Sequence, residues 1–156
     1  MQEKFKLKYA LKSPAHVTIK MPFSYNEAKE VNLITKLSHF FFHFKPFSIT
    51  LDGFDKFGKR VIFIHVQSSP ELVEIQSELR KYCKTKLNQV EELSDRSFHP
   101  HMTISFKDIK PAKFDEYWSF IRSQKFSKAY QVDDIALLKR IEGRWEVVHR
   151  FPLMTR

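Results

Sequence analysis

Polar and apolar residues alternate over two short stretches of this chain, and each stretch opens a similar run of elements. Residues 14–21 read PAHVTIKM, with Val17, Ile19 and Met21 on one face and His16, Thr18 and Lys20 on the other, the period of a strand. Ser24-Tyr-Asn-Glu27 then has the form of a capping box. Behind it Leu33, Leu37, Phe40, Phe41 and Phe44 recur at helical spacing until Pro46 stops the run. Residues 47–51 and 60–67 read as strands joined by a hairpin loop that holds Asp52-Gly53 and Gly58. Ser69-Pro70-Glu71 announces a second helix, a serine cap followed by proline in the first turn, with Leu72, Ile75, Leu79 and Tyr82 on its apolar side.

The order then repeats. After a polar stretch at 91–97, read as loop, HMTISF alternates Met102, Ile104 and Phe106 against His101, Thr103 and Ser105. Residues 110–126 carry a helical pattern through Phe114, Trp118 and Ile121. Two strands, about 131–140 and 144–151, close the chain around Glu142-Gly143. Strand–helix–strand–strand thus occurs twice, and Ile49 follows His16 at the spacing at which Ile135 follows His101, to within one residue. The pattern predicts an α+β, bilobal fold: two pseudo-symmetric β-α-β-β lobes with antiparallel sheets around a central cleft. Lobe one covers about residues 1–68, a linker helix about 69–90, and lobe two about 98–156.

Composition narrows the class. With 156 residues, 42% hydrophobic and 29% charged, the chain is long enough for one packed domain and too apolar for disorder. Lysine and arginine number 27 against 18 acids, a formal charge of +9, which favours a polyanion partner, RNA or a nucleotide ahead of a membrane surface. Cys83 is the only cysteine, so neither an intramolecular disulfide nor a cysteine zinc site is expected. The charged MQEKFKLKYALK start lacks a signal-peptide core, and no apolar run is of membrane-spanning length. These features predict a cytoplasmic protein without a membrane partner.

The chemistry lies at the heads of the two repeats. Both are His-x-Thr-Ile, both have a proline just upstream (Pro14 and Pro100), and both fall on expected strands. Alternation places each histidine and its threonine on one face, about 7 Å apart. Lobes packed about a pseudo-twofold axis bring two imidazoles and two hydroxyls to one cleft. That set suits phosphoryl chemistry without a metal: one ring takes a proton, the other gives one, and the hydroxyls hold phosphate oxygens. His99 is a candidate for the cleft rim, and Tyr9 and Phe98 flank the motifs and are placed to stack on a base.

The paired motifs resemble the signature of the 2H phosphoesterase superfamily, and more closely its branch of RNA 2′,3′-cyclic phosphodiesterases, also called 2′-5′ RNA ligases. SPAHVTIKMPF, FHPHMTI and the closing IALLKRIEGRWEVVHRFPL support the likeness, which covers about residues 7–153. It implies cleavage of cyclic phosphodiesters, or of 2′-5′ linkages, at RNA or nucleotide ends without metal or other cofactor, and in some members reversible joining of 2′-5′ linkages. His16 and His101 would then be the acid–base pair, and Thr18 and Thr103 the phosphoryl ligands. Two departures stand out. Relatives commonly have a strand and a helix before the first motif, whereas 15 residues precede His16 here. A monomer is expected, with a dimer if this short start leaves a sheet edge open. Many relatives also place an arginine shortly after the second motif. Here Lys107 stands there as a candidate substrate contact, a point charge where the fork of arginine would bind in a bidentate way. The alternative function is a non-catalytic RNA- or nucleotide-binding module that uses the same His and Thr groups to grip phosphate.

Overall fold

The computed structural model describes residues 1–154, which fold as an α+β structure. Strands β1 (Phe47–Phe57), β2 (Val61–Val66), β3 (His101–Phe106) and β4 (Ser127–Val132) form an antiparallel sheet in the order β3-β2-β1-β4. Strands β5 (Asp134–Ile141) and β6 (Arg144–Pro152) pair with each other as a second, smaller antiparallel sheet. Five helices accompany them among the described residues: α1 (Gln2–Phe5), α2 (Glu30–Phe41), α3 (Pro70–Lys86), α4 (Leu93–Arg96) and α5 (Phe114–Arg122).

Helix α3 follows its sequence closely. Ser69 Oγ accepts the Leu72 N–H at 3.2 Å and Pro70 occupies the first turn, so two of the helix's orphan donors are dealt with at once. Its Leu72, Ile75, Leu79 and Cys83 enter the main core. There they meet Leu33, Leu37 and Phe41 of α2, Leu51, Ile64 and Val66 of the large sheet, and Phe151 of β6. Each such buried side chain stabilises the fold by roughly 1.5–3 kcal/mol. A smaller core under α5 gathers Leu7, Ile62, Ile109, Phe114, Tyr117 and Ile121. The start of α2 differs from its sequence pattern. Asn26, not Ser24, is the cap: its side chain accepts the Ala28 N–H and opens a 3-10 turn, Glu27–Lys29, that leads into the helix.

Several strand expectations are corrected. Residues 14–21 form no strand, because no neighbouring strand pairs with them and Pro14 and Pro22 bracket them. Val17 and Ile19 nevertheless pack against the main core as the alternation predicts. Asp52-Gly53 is a bulge and not a turn: β1 runs on to Phe57, and Gly53 adopts φ 74° and donates its N–H to the Phe126 carbonyl. The hairpin closes instead over Gly58, Lys59 and Arg60. Helix α5 is shorter than its pattern, and residues after it supply β4 as well as β5 and β6.

The repeat therefore does not build two lobes from consecutive elements. The first repeat's hairpin, β1 and β2, takes the second repeat's motif strand β3 on one side and β4 on the other. Sequence spacing is blind to this exchange, since it records the order of elements but not which edges find each other.

Candidate active site

Strand β2 alternates cleanly. Ile62, Ile64 and Val66 face the cores, which leaves Val61, Phe63 and His65 on the opposite face. Directly opposed residues of an antiparallel pair point the same way, so Phe63↔Thr103 and His65↔His101 place Thr103 and His101 on that second face. The register then slips by one residue, because Ile62 opposes Ser105 and Ile104 is the extra residue of a bulge. Ser105 is turned to the core face, and Phe106, opposite Val61, returns to the His101 face. The simple alternation of HMTISF had these two reversed.

His101 stands in an aromatic corner. Its ring lies 5.0 Å from Phe57, 5.1 Å from Phe63 and 6.4 Å from His99, centroid to centroid. Its Nδ1 is 2.7 Å from the His99 carbonyl. A carbonyl has no proton to give, so Nδ1–H is the donor and the neutral ring keeps its lone pair on Nε2. Burial lowers the pKa of His101 below the usual imidazole range. The bond to the His99 carbonyl works against this, and the His99 and His16 rings add to the lowering. The motif histidines are thus close enough to feel each other's charge.

His16 repeats the same local hook. Its Nδ1 donates to the Pro14 carbonyl at 2.6 Å, again two residues upstream, and again frees Nε2. Its surroundings differ, for the ring is exposed and its segment belongs to no sheet. What holds that segment is a buried ion pair. Lys20 Nζ lies 2.7 Å from Asp95 Oδ2, with side-chain exposures of 9% and 2%. Asp95 Oδ1 also accepts the Met21 N–H at 2.8 Å, and Oδ2 the Glu92 N–H at 3.1 Å. Gln76, buried on α3, donates to the Asp95 carbonyl at 2.8 Å. The carboxylate so ties the first motif to the turn that precedes the second. Thr18 and Thr103 are half-buried, and among the described residues neither hydroxyl has a protein partner.

The other candidate residues fall in three places. His99 joins the His101 corner, 5.2 Å from Phe57 and 6.4 Å from His65. Phe98 packs against the main core. Lys107 leaves β3 in a left-handed conformation, φ 57°, and donates from Nζ to the Tyr9 hydroxyl at 3.1 Å. That bond, ahead of the charges of Lys107, Lys12 and Arg140, lowers the Tyr9 pKa against a smaller opposing effect of burial. Sequence reasoning passed over Phe57, Phe63, Lys20 and Asp95. Only the strand register could have found the two rings. For Asp95 a faint signal existed, since Glu-Leu-Ser-Asp at 92–95 is a cap string, and Glu92 and Asp95 do cap α4 reciprocally. Among the described residues no three His, Cys, Asp or Glu side chains converge as metal ligands. No helix among them is long and apolar enough to cross a membrane.

Comparison with known proteins places the chain in a family and a fold. A candidate phosphoesterase of Bacillus mycoides is 25% identical over 156 residues, 98% of this chain and 86% of the relative. Another from Bacillus cytotoxicus is 26% identical over the same span. Among solved structures, LigT of E. coli crystallised with 3′-AMP superposes with a TM-score of 0.68 at 21% identity, covering 90% of this chain and 78% of that one. LigT crystallised with phosphate gives 0.57 at 18% identity, with 90% and 76% covered. The profile of the 2′-5′ RNA ligase superfamily matches residues 1–144, a span that holds both His-x-Thr-Ile motifs and the sheet between them. By that match the chain belongs to the 2′-5′ RNA ligase superfamily of 2H phosphoesterases.

Proposed function

We propose that this protein is a phosphoesterase that opens 2′,3′-cyclic phosphodiester or 2′-5′ linked ends of RNA or nucleotides by two-histidine acid–base catalysis. The observation that carries the reading is the matched pair of hooks. His16 and His101 each fix Nδ1–H on the carbonyl two residues upstream, so two Nε2 atoms are free to handle protons. LigT's complexes with 3′-AMP and phosphate support a nucleotide-sized anionic ligand for this site as well.

His101 is kept neutral by its aromatic corner and acts as the base. It removes a proton from water as the water oxygen bonds to phosphorus. The bond from phosphorus to one ribose oxygen breaks, and His16 gives that oxygen its proton. The same order joins a 2′-5′ linkage when a 5′ ribose hydroxyl takes the place of water: its proton goes to His101, its oxygen bonds to phosphorus, and the 3′ oxygen leaves with the proton of His16. Thr18 and Thr103 donate their unengaged hydroxyls to the non-bridging oxygens, where charge builds up in the transition state.

The test is hydrolysis of an oligonucleotide with a 2′,3′-cyclic phosphate end in the presence of EDTA. His16→Ala and His101→Ala should each lower kcat by about 10²–10⁴-fold while leaving the thermal transition in place. Folded wild-type protein that binds such an end without turning it over would instead establish the binding module.

A further inference from the structure

A second concentration of charge lies at the far end of the His101 face. Phe106 shares that face with Thr103, roughly 7 Å further along the sheet, since the bulge at Ile104 leaves their partners Phe63 and Val61 two residues apart. The Tyr9 ring meets Phe106 edge-on at 5.0 Å. Tyr9 in turn carries two ammonium groups, Lys12 Nζ at 4.6 Å and Lys107 Nζ at 5.0 Å from its ring centre. Around it Lys8, Tyr9, Lys12, Asp108 and Arg144 line a hollow of about 480 Å³. The N-terminal segment supplies one wall, Asp108 follows the end of β3, and Arg144 opens β6 of the smaller sheet.

This cluster is out of electrostatic balance. Among the described residues none of Lys8, Lys12, Lys107, Arg140 and Arg144 forms a salt bridge. The one acid in the lining, Asp108, supplies a single negative charge: its Oδ2 accepts the backbone N–H groups of Lys8 and Tyr9, each at 2.7 Å, and its Oδ1 is buried with no partner among the described residues. That carboxylate holds the N-terminal segment down and so sets where Tyr9 and Lys12 stand. One carboxylate against Lys8, Lys12, Lys107, Arg140 and Arg144 leaves an excess of positive charge, which an anion would relieve. A membrane surface does not fit a concave site. A strand of phosphates does, because Tyr9 of the hollow abuts Phe106, which shares the sheet face of His101.

We propose that this hollow is a second phosphate site, which takes an internal phosphodiester of a single-stranded RNA while the strand's end lies at His16 and His101. The proposal rests on the function proposed above, and deepens it by distinguishing a strand from a free cyclic nucleotide. Lys12 and Arg144 are the groups that close on the phosphate, and Tyr9 and Asp108 position them.

The experiment measures binding, so it does not depend on turnover. An RNA of about eight nucleotides with a 3′-phosphate, labelled for fluorescence anisotropy, is titrated into wild type and Lys12→Gln/Arg144→Gln between roughly 50 and 200 mM salt. Loss of two phosphate contacts should reduce the slope of log K against log salt by about 1.4, so the defect is about sevenfold larger at the low end. A control, Lys29→Gln/Lys84→Gln, removes the same charge from exposed positions on the 3-10 turn before α2 and on α3. It should keep the wild-type slope.

The proposal fails if the control loses as much as the test variant, if the test variant keeps the wild-type slope, or if wild type does not bind the RNA. Its failure is separable from that of the function. Wild type that hydrolyses cyclic ends while both doubles bind alike loses only the second site. Wild type that shows the expected slopes and turns over neither oligonucleotide nor cyclic mononucleotide loses only the catalytic reading.

Discussion

Removing Asp95 tests how the first motif is held. The carboxylate is 2% exposed and receives three donors: Lys20 Nζ at 2.7 Å, Met21 N–H at 2.8 Å and Glu92 N–H at 3.1 Å. Asp95→Ala leaves a buried ammonium whose remaining acceptor is the Met21 carbonyl at 3.3 Å, along with two unpaired backbone donors. Breaking a buried pair from one side costs about 3–5 kcal/mol, and a small domain has only about 5–15 kcal/mol in all. Lys20→Met should cost less, because the carboxylate left behind keeps both backbone N–H groups. Urea unfolding of the two variants and wild type gives the comparison at constant m. The expected order is wild type, then Lys20→Met, then Asp95→Ala as the least stable. An Asp95→Ala loss below about 1 kcal/mol, or the reverse order, would refute the claim that this carboxylate is the tether.

Two further outcomes follow from the same geometry. His101 has a folded-state pKa below its ordinary value of 6.5, so as the base it should give kcat/KM an acidic limb below that pH, and a limb at or above 6.5 would contradict the assignment. The linkage has the same sign: between the folded value and 6.5 the unfolded chain binds more protons, so the stability that neutral His101 contributes is present above 6.5 and lost as pH falls through the folded value. Ser105 is 1% exposed and its Oγ has no partner among the described residues, so Ser105→Ala should be neutral or stabilise by up to about 1 kcal/mol in thermal melts. A clear loss would mean that the hydroxyl is bonded after all.

Much of the chemistry settled within a few residues was legible in the sequence, though the cap before α2 fell on Asn26 and not on Ser24. The Ser69 cap, the apolar stripe of α3, the Glu142-Gly143 turn and the doubled His-x-Thr-Ile all depend on neighbours along the chain. What escaped depends on neighbours across it. The bulge at Ile104 exists because β3 must match β2, and it alone decides that Ser105 is core and Phe106 is not. Residues 14–21 have a strand's alternation but no partner to complete a ladder. Lys20 lies on the polar side of that alternation and reads as solvated, yet Asp95, which buries it, stands 75 positions away. The exchange of β3 and β4 onto the first hairpin is likewise a matter of edges meeting in space.

The site's asymmetry comes from that exchange. If each repeat had closed on itself, His16 and His101 would stand on equivalent strands with equivalent walls, and nothing would distinguish base from acid. Instead β3 is clamped to β2, whose Phe63 is fully buried beneath the His99 and His101 rings, with Phe57 alongside. The first motif is moored by side chains and faces solvent. Identical hooks on Nδ1 give the two rings the same tautomer, so the difference between them is environmental and not local. Burial makes a charge on His101 costly, while the His16 ring stands exposed. In the proposed reaction this difference, set by the sheet edge that one of two identical residues occupies, is what assigns the proton acceptor and the proton donor.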